Sequence, residues 1–210
     1  MRQRKPKNLE QKLQNCSEYM IQDLKNPMAS FPVEQPTYLE IGCGKGNFII
    51  KKALENPDKN FIAIEGQDTV ILRALEKAMA HEGGIPNLRF MLTFVQTMDE
   101  FFEEGQLAGV YLNFSDPWPK ARHAKRRLTY RDRLRDYKWA IADGGFIEFK
   151  TDNDGLFEFT LEEIAEIDFN IAEQTTDLHN SEFESQYTMT EYEAKFKDKG
   201  KNINYVKIAL

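Results

Sequence analysis

Between residues 38 and 149 the chain alternates short apolar runs of strand length with longer runs of helical period, and this alternation limits its fold more than any other feature. Tyr38-Leu39-Glu40-Ile41 reads as a strand ending at Gly42, and residues 48–54 as a helix stopped by Asn56-Pro57. Phe61-Ile62-Ala63-Ile64 is a second strand, and residues 70–80 are a helix stopped by Gly83-Gly84. Strands follow at 88–92 and 110–112, with a short helix at 99–102 between them. Residues 129–142 read as a helix closed by Gly144-Gly145, and Phe146-Ile147-Glu148-Phe149 as a fifth strand. A helix over 155–167, capped by Asn153 or Asp154, and a strand near 205–208 complete the pattern. Such alternation builds parallel βαβ units with right-handed crossovers. The expected fold is therefore α/β, a doubly wound, mostly parallel sheet occupying residues 37–210. Ahead of it, residues 1–8 form a basic arm. Leu9, Leu13, Met20, Ile21 and Leu24 recur at helical spacing, predicting a helix over 9–25 before Pro27, Pro32 and Pro36 break the chain. This N-terminal helical extension, residues 1–36, is taken as a segment of its own.

Composition narrows the setting. A content of 41% hydrophobic and 30% charged residues suits an ordinary globular domain, and no apolar run approaches the length of a membrane span. The basic N-terminus has no apolar stretch behind it, so no signal peptide is expected. Cys16 and Cys43 lie far apart without metal-ligand spacing, and read as free thiols in a reducing cytoplasm with no bound metal. The net charge of −6 argues against a polyanionic partner. Residues 120–135, however, carry eight basic side chains opposed only by Asp132, and the local field decides where a polyanion docks.

The strand at 38–41 runs into Gly42-Cys43-Gly44-Lys45-Gly46 and then a helix. A dinucleotide-binding turn wants G-x-G-x-x-G, and position 47 is Asn. Glu40 immediately before the turn would repel a phosphate but suits a ligand bearing an ammonium group. Glu65 ends the second strand, where a carboxylate can accept hydrogen bonds from both hydroxyls of a ribose. The bland alternative is a strand-to-helix turn with solvated acids. Together these features favour S-adenosylmethionine as cofactor, held by Glu40, Gly42, Gly44, Gly46 and Glu65.

After the fourth strand comes Asn113-Phe114-Ser115-Asp116-Pro117-Trp118-Pro119-Lys120, leading into Arg122-His123-Ala124-Lys125-Arg126-Arg127. This stretch resembles the bacterial tRNA (guanine-N7)-methyltransferase family. So, in the same order, do residues 40–46, Phe149-Lys150-Thr151-Asp152-Asn153 and Thr190-Glu191-Tyr192-Glu193. The resemblance implies a Rossmann-like sheet of the class I methyltransferase type and methyl transfer to N7 of a guanosine in the tRNA variable loop. It implies that Asp116 contacts the cofactor and is catalytic. Lys120, Asp152, Thr190, Glu191, Tyr192 and Glu193 would contact the substrate, and Arg122, His123, Lys125, Arg126 and Arg127 would touch RNA. One departure is expected to matter: Phe94 stands where the family places an acidic residue near the adenine. Phe94 could pack on that ring, with Gln96 as a polar contact.

Trp118 reads equally as a turn aromatic or a base-stacking platform, and Thr190 and Glu193 would also serve as an ordinary helix cap. The alternatives are a methyltransferase acting on another RNA, a protein or a small molecule, a nicotinamide oxidoreductase, and a non-enzymatic RNA-binding protein. The expected partner is tRNA, with no membrane and no obligatory protein partner, the chain acting as monomer or homodimer.

Overall fold

The strand Asn60–Glu65 carries apolar residues at its four central positions and is buried on both faces. Phe61 and Ala63 turn towards one apolar cluster, and Ile62 and Ile64 towards another. A strand with two buried faces needs a layer of helices on each side, and that requirement builds the molecule. The computed structural model describes residues 5–183, 188, 193 and 202–210.

In chain order the elements are α1 (Leu9–Gln14), β1 (Thr37–Ile41), α2 (Asn47–Glu55), β2 (Asn60–Glu65), α3 (Asp68–Met79), β3 (Leu88–Leu92) and β4 (Leu107–Asn113). They continue with α4 (Arg131–Ala140), β5 (Ile141–Thr151), α5 (Asp154–Glu166), β6 (Asn170–Thr175) and β7 (Asn204–Ala209). The sheet order is β3-β2-β1-β4-β5-β7-β6. Strands β1 to β5 are parallel, and β7 runs antiparallel to both β5 and β6. Helices α2 and α3 cover one face, with Phe48, Ile49, Leu72 and Leu75 in its core. Helices α4 and α5 cover the other through Leu134, Tyr137, Leu156 and Ile164. The chain reverses its winding between β1 and β4, which are paired neighbours. Ligands in such sheets sit beyond the carboxyl ends of the strands at that switch.

Several boundaries differ from the sequence expectation. The helix predicted over 9–25 stops at Gln14. A 3-10 turn follows at Ser17–Tyr19, and Met20 pairs in parallel with Phe90 while the Ile21 amide donates to the Phe90 carbonyl at 2.9 Å. The outer edge of β3 would otherwise expose unpaired backbone, and covering that edge outweighs helical propensity here. Residues 98–100 form a 3-10 turn rather than the expected helix. Gly144 and Gly145 lie inside β5, not between a helix and a strand. Strand β6 was not expected: its face alternates exposed and half-buried, so its polar sequence, Asn170-Ile171-Ala172-Glu173-Gln174-Thr175, carries little apolar signal. Asn153 rather than Asp154 caps α5, accepting from the Leu156 amide at 2.8 Å. The arm lies along α3 through Lys5–Asp68 at 2.8 Å and Lys12–Glu76 at 3.4 Å. No helix among the described residues is long and apolar enough to cross a membrane.

Candidate active site

Glu40 sits opposite Tyr111 in the β1–β4 register, so strand alternation brings Asn113 to the same side one step further on. The Asn113 amide donates to Glu40 Oε1 at 2.9 Å. The other oxygen, Oε2, is buried with no hydrogen-bond partner among the described residues. A buried carboxylate oxygen left unpaired is costly, which marks it as waiting for a donor from a ligand. Burial pushes the Glu40 carboxyl up to about 7, against the opposing influences of the Asn113 hydrogen bond and the charge of Lys150.

The turn after β1 is shaped around this group. Gly42 and Gly44 have φ of +80° and +57°, and a Cβ added at either would meet no protein atom within 4 Å. Their bare backbone therefore faces open space. Gly46 has a different duty: a Cβ there would come within 2.6 Å of Ala74 Cβ, so it lets the start of α2 lie close against α3. Glu65 ties the turn to β2, accepting from the Gly44 amide at 3.1 Å and from the Gln67 amide at 2.9 Å. Its carboxyl is raised, chiefly by burial and partly by the charge of Asp116. Glu40 and Asp116 line one cavity beyond the ends of the strands, while Glu65 stands behind it, joined to the cavity-lining Gly44 but not itself lining it. The cavity there, about 560 Å³, is lined by Glu40, Gly44, Phe48, Asn113, Asp116 and Asp152. That volume is of the size that takes a nucleoside-bearing small molecule. An ammonium group seated against Glu40 would satisfy its unpaired Oε2, which belongs to a residue lining the cavity, so the residues present fit S-adenosylmethionine.

Asp116 stands exposed in the turn after β4. Two bulky residues of that turn, Phe114 (φ 51°) and Trp118 (φ 41°), occupy the left-handed region. Each such residue costs on the order of 1–3 kcal/mol and persists only where its surroundings hold it. The Phe114 amide donates to the Lys150 carbonyl at 2.9 Å. Trp118 is flanked by the guanidinium of Arg126 at 4.9 Å and by the His123 ring, perpendicular to it with centroids 5.6 Å apart.

The eight cations of residues 120–135 divide into two sets. Lys120, Arg122, Lys125 and Arg126 are exposed, in the segment that follows the cavity-lining Asp116 and Pro117. Arg127 turns inward and donates to the Pro117 and Trp118 carbonyls. Arg131 makes three hydrogen bonds to the buried Glu163, whose carboxyl that pairing holds below the usual range. Arg133 donates to the Val95 and Gln96 carbonyls, and Arg135 pairs with Asp132 at 3.5 Å.

Of the other expected residues, Asp152 lines the cavity. Glu193 is buried against the fully buried Lys150, their charged atoms 3.5 Å apart. Thr190, Glu191 and Tyr192 lie outside the described residues. Phe94 is 71% exposed, its ring lying over Gly66 just beyond Glu65. Gln96 contributes its backbone carbonyl to Arg133. Sequence reasoning missed Asn113 as the partner of Glu40, although strand alternation signalled it. It also missed the inward turn of Arg127, for which no local pattern gives a sign.

Comparison with known proteins places this geometry. A family model described as "Putative methyltransferase" matches residues 34–206. The tRNA (guanine-N(7)-)-methyltransferase of Streptococcus uberis is 44% identical over 207 residues, covering 97% of each chain. That of Mesoplasma florum is 49% identical over 177 residues, 81% of this chain and 79% of its own. Among solved structures, an antibiotic-related methyltransferase superposes with TM-score 0.60 at 18% identity, over 87% of this chain and 89% of its own. The 16S rRNA methyltransferase KamB gives TM-score 0.59 at 12% identity, over 99% and 94% respectively. These two structures support the class I methyltransferase fold. With relatives this similar over nearly its whole length, the chain belongs to the tRNA (guanine-N7)-methyltransferase family.

Proposed function

We propose that this protein transfers a methyl group from S-adenosylmethionine to N7 of a guanosine in tRNA, and that the target lies in the variable loop. The observation that carries the reading is the unpaired, buried Glu40 oxygen in a cavity lined also by Asp116 and Pro117, the chain running on from there into the exposed cations Lys120, Arg122, Lys125 and Arg126. A site for an ammonium-bearing ligand adjoins a surface suited to phosphates. Residues 37–210 form the catalytic domain in this reading, and residues 1–36 an extension of it.

When bound, S-adenosylmethionine supplies an electrophilic methyl group on a sulfonium. Glu40 would hold its ammonium, Glu65 its ribose hydroxyls, and the backbone of Gly42 and Gly44 would allow its close approach, with Gly46 setting the turn. Guanine N7 carries an available lone pair, so no side chain has to remove a proton from it. The protein's contribution is positioning and electrostatics. Asp116 lines the cavity that would hold the cofactor. It can accept hydrogen bonds from guanine N1–H and the exocyclic amine, and it stabilises the positive charge that develops on the purine. Asp152 or Glu193 can share the contact with the base edge, and Thr190, Glu191 and Tyr192 belong to the same substrate set. Lys120, Arg122, Lys125 and Arg126 position phosphates, while Trp118 and His123 offer flat faces to a base.

The test is incubation with bulk tRNA and methyl-labelled cofactor, followed by nucleoside mass spectrometry. Label in 7-methylguanosine, placed in the variable loop by mass mapping of nuclease fragments of the same tRNA, supports the assignment. Label in another nucleoside, or in a peptide or small-molecule acceptor instead of tRNA, overturns it.

A further inference from the structure

Arg127 belongs by sequence to the run of cations expected to face RNA, but its side chain is spent on the protein. It is half-buried, whereas Lys125 and Arg126 beside it are exposed. Its guanidinium lies 4.1 Å over the ring of Phe159 in α5. From that plane Nε donates to the Pro117 carbonyl at 3.0 Å and an Nη atom to the Trp118 carbonyl at 3.1 Å. In an extended chain successive carbonyls point to opposite sides. Here two successive carbonyls accept from one planar fork because Trp118 is in the left-handed region, at φ 41°. The grip therefore fits the strained form of the turn, and that turn carries Asp116 immediately before Pro117.

We propose that Arg127 is a positioning residue for the methyl transfer, acting through the 114–118 turn to hold Asp116 at the cavity rim and contributing little to the hold on RNA. The inference rests on the function proposed above. A lysine could not replace it, since a single ammonium neither stacks on Phe159 nor reaches both carbonyls in a fixed plane. Phe159 is its anvil: without the ring beneath it, the guanidinium is free to swing out to solvent.

The experiment separates turnover from RNA affinity in the full-length protein, after wild-type methylation of tRNA has been established. Arg127→Lys keeps the charge and is expected to lower kcat at saturating tRNA by about tenfold or more, while tRNA Kd and its salt dependence stay within about twofold of wild type. Phe159→Leu, which changes no charge, is expected to shift kcat in the same direction with Kd unchanged, and it decides the matter if Arg127→Lys does not fold. In a Trp139→Phe background the sole remaining tryptophan, Trp118, reports on the turn. Its emission should move to longer wavelength, and its quenching by acrylamide should rise, when Arg127 is replaced. Two results overturn the proposal: kcat retained in both variants, or kcat retained with weaker tRNA binding and a salt slope shallower by about one, the mark of a lost phosphate contact. A wild-type protein that leaves tRNA unmethylated would refute the function instead, and the Trp118 emission would still test the grip.

Discussion

Glu40 is the residue on which binding energetics turn. The fold holds its carboxyl above the ordinary value of 4.5, at about 7, mainly through burial. A raised carboxyl gives its full stabilising share below the ordinary value and loses it as pH climbs through the folded one. The ligand-free protein therefore loses this contribution between about pH 5 and 7, and a cationic group that favours the ionised form binds better over the same interval. Affinity for S-adenosylmethionine should rise about tenfold between about pH 5.5 and 7, where the ligand's own amino group stays protonated. In Glu40→Gln that dependence should vanish along with most of the affinity. Calorimetric titration across the range measures both, and a flat wild-type profile would remove Glu40 from the ammonium site. Asp116 has a separable role. Asp116→Ala should abolish methylation while leaving tRNA Kd within about twofold, since an exposed carboxylate adds nothing to phosphate binding. Near-normal turnover in that variant would exclude it from the mechanism.

At the level of elements, the junction of α2 with α3 turns on one missing side chain. Gly46→Ala forces a Cβ to 2.6 Å from Ala74 and places alanine at φ +73°. The cost should be about 2–4 kcal/mol, a fall in Tm of about 5–15 °C. Gly44→Ala meets no atom within 4 Å and should cost only about 1–2 kcal/mol for its left-handed backbone. Its Cβ projects into the cofactor side, so its main effect should be weaker cofactor binding. Thermal melts and ligand titrations on the pair distinguish a packing glycine from a ligand-facing one, and equal Tm losses would refute the division. The strand-to-helix turns were legible in sequence because Gly42, Gly44 and Gly46 interrupt an apolar run at fixed spacing. The 9–25 region was not. Its apolar spacing fits a helix, but the bare edge of β3 captures Met20 and Ile21 instead. Strand β6 escaped notice for the converse reason, since half of its residues face solvent and its pairing partner β7 lies far along the chain.

Across the whole molecule the net charge of −6 conceals a local concentration of solvent-facing cations in residues 120–126, directly after the cavity-lining Asp116 and Pro117. Affinity for tRNA should fall steeply as salt increases, and Arg122→Ala or Lys125→Ala should each make the slope shallower by about one. Arg131→Met should leave the slope unchanged and lower Tm, because its charge is bound to Glu163 between α4 and α5. Binding titrations at several salt concentrations, paired with melting curves, check both statements. A flat salt response in the wild type would count against the whole basic surface.

The sequence by itself determined the alternating α/β order, the glycine turn after β1, the carboxylates Glu40, Glu65 and Asp116, and the motif that marks the family. Each of these is written in local periodicity or in a short contiguous run. Tertiary structure alone decided which charges serve the ligand and which serve the fold. Arg126 and Arg127 are adjacent and chemically identical, yet one stacks on Trp118 at the surface and the other reaches inward from Phe159. Likewise, nothing local shows that Glu40 loses its water to β4 and keeps one oxygen unpaired. Burial, and the partners that distant segments bring, are properties of packing, and packing sets the energy of every charge it encloses.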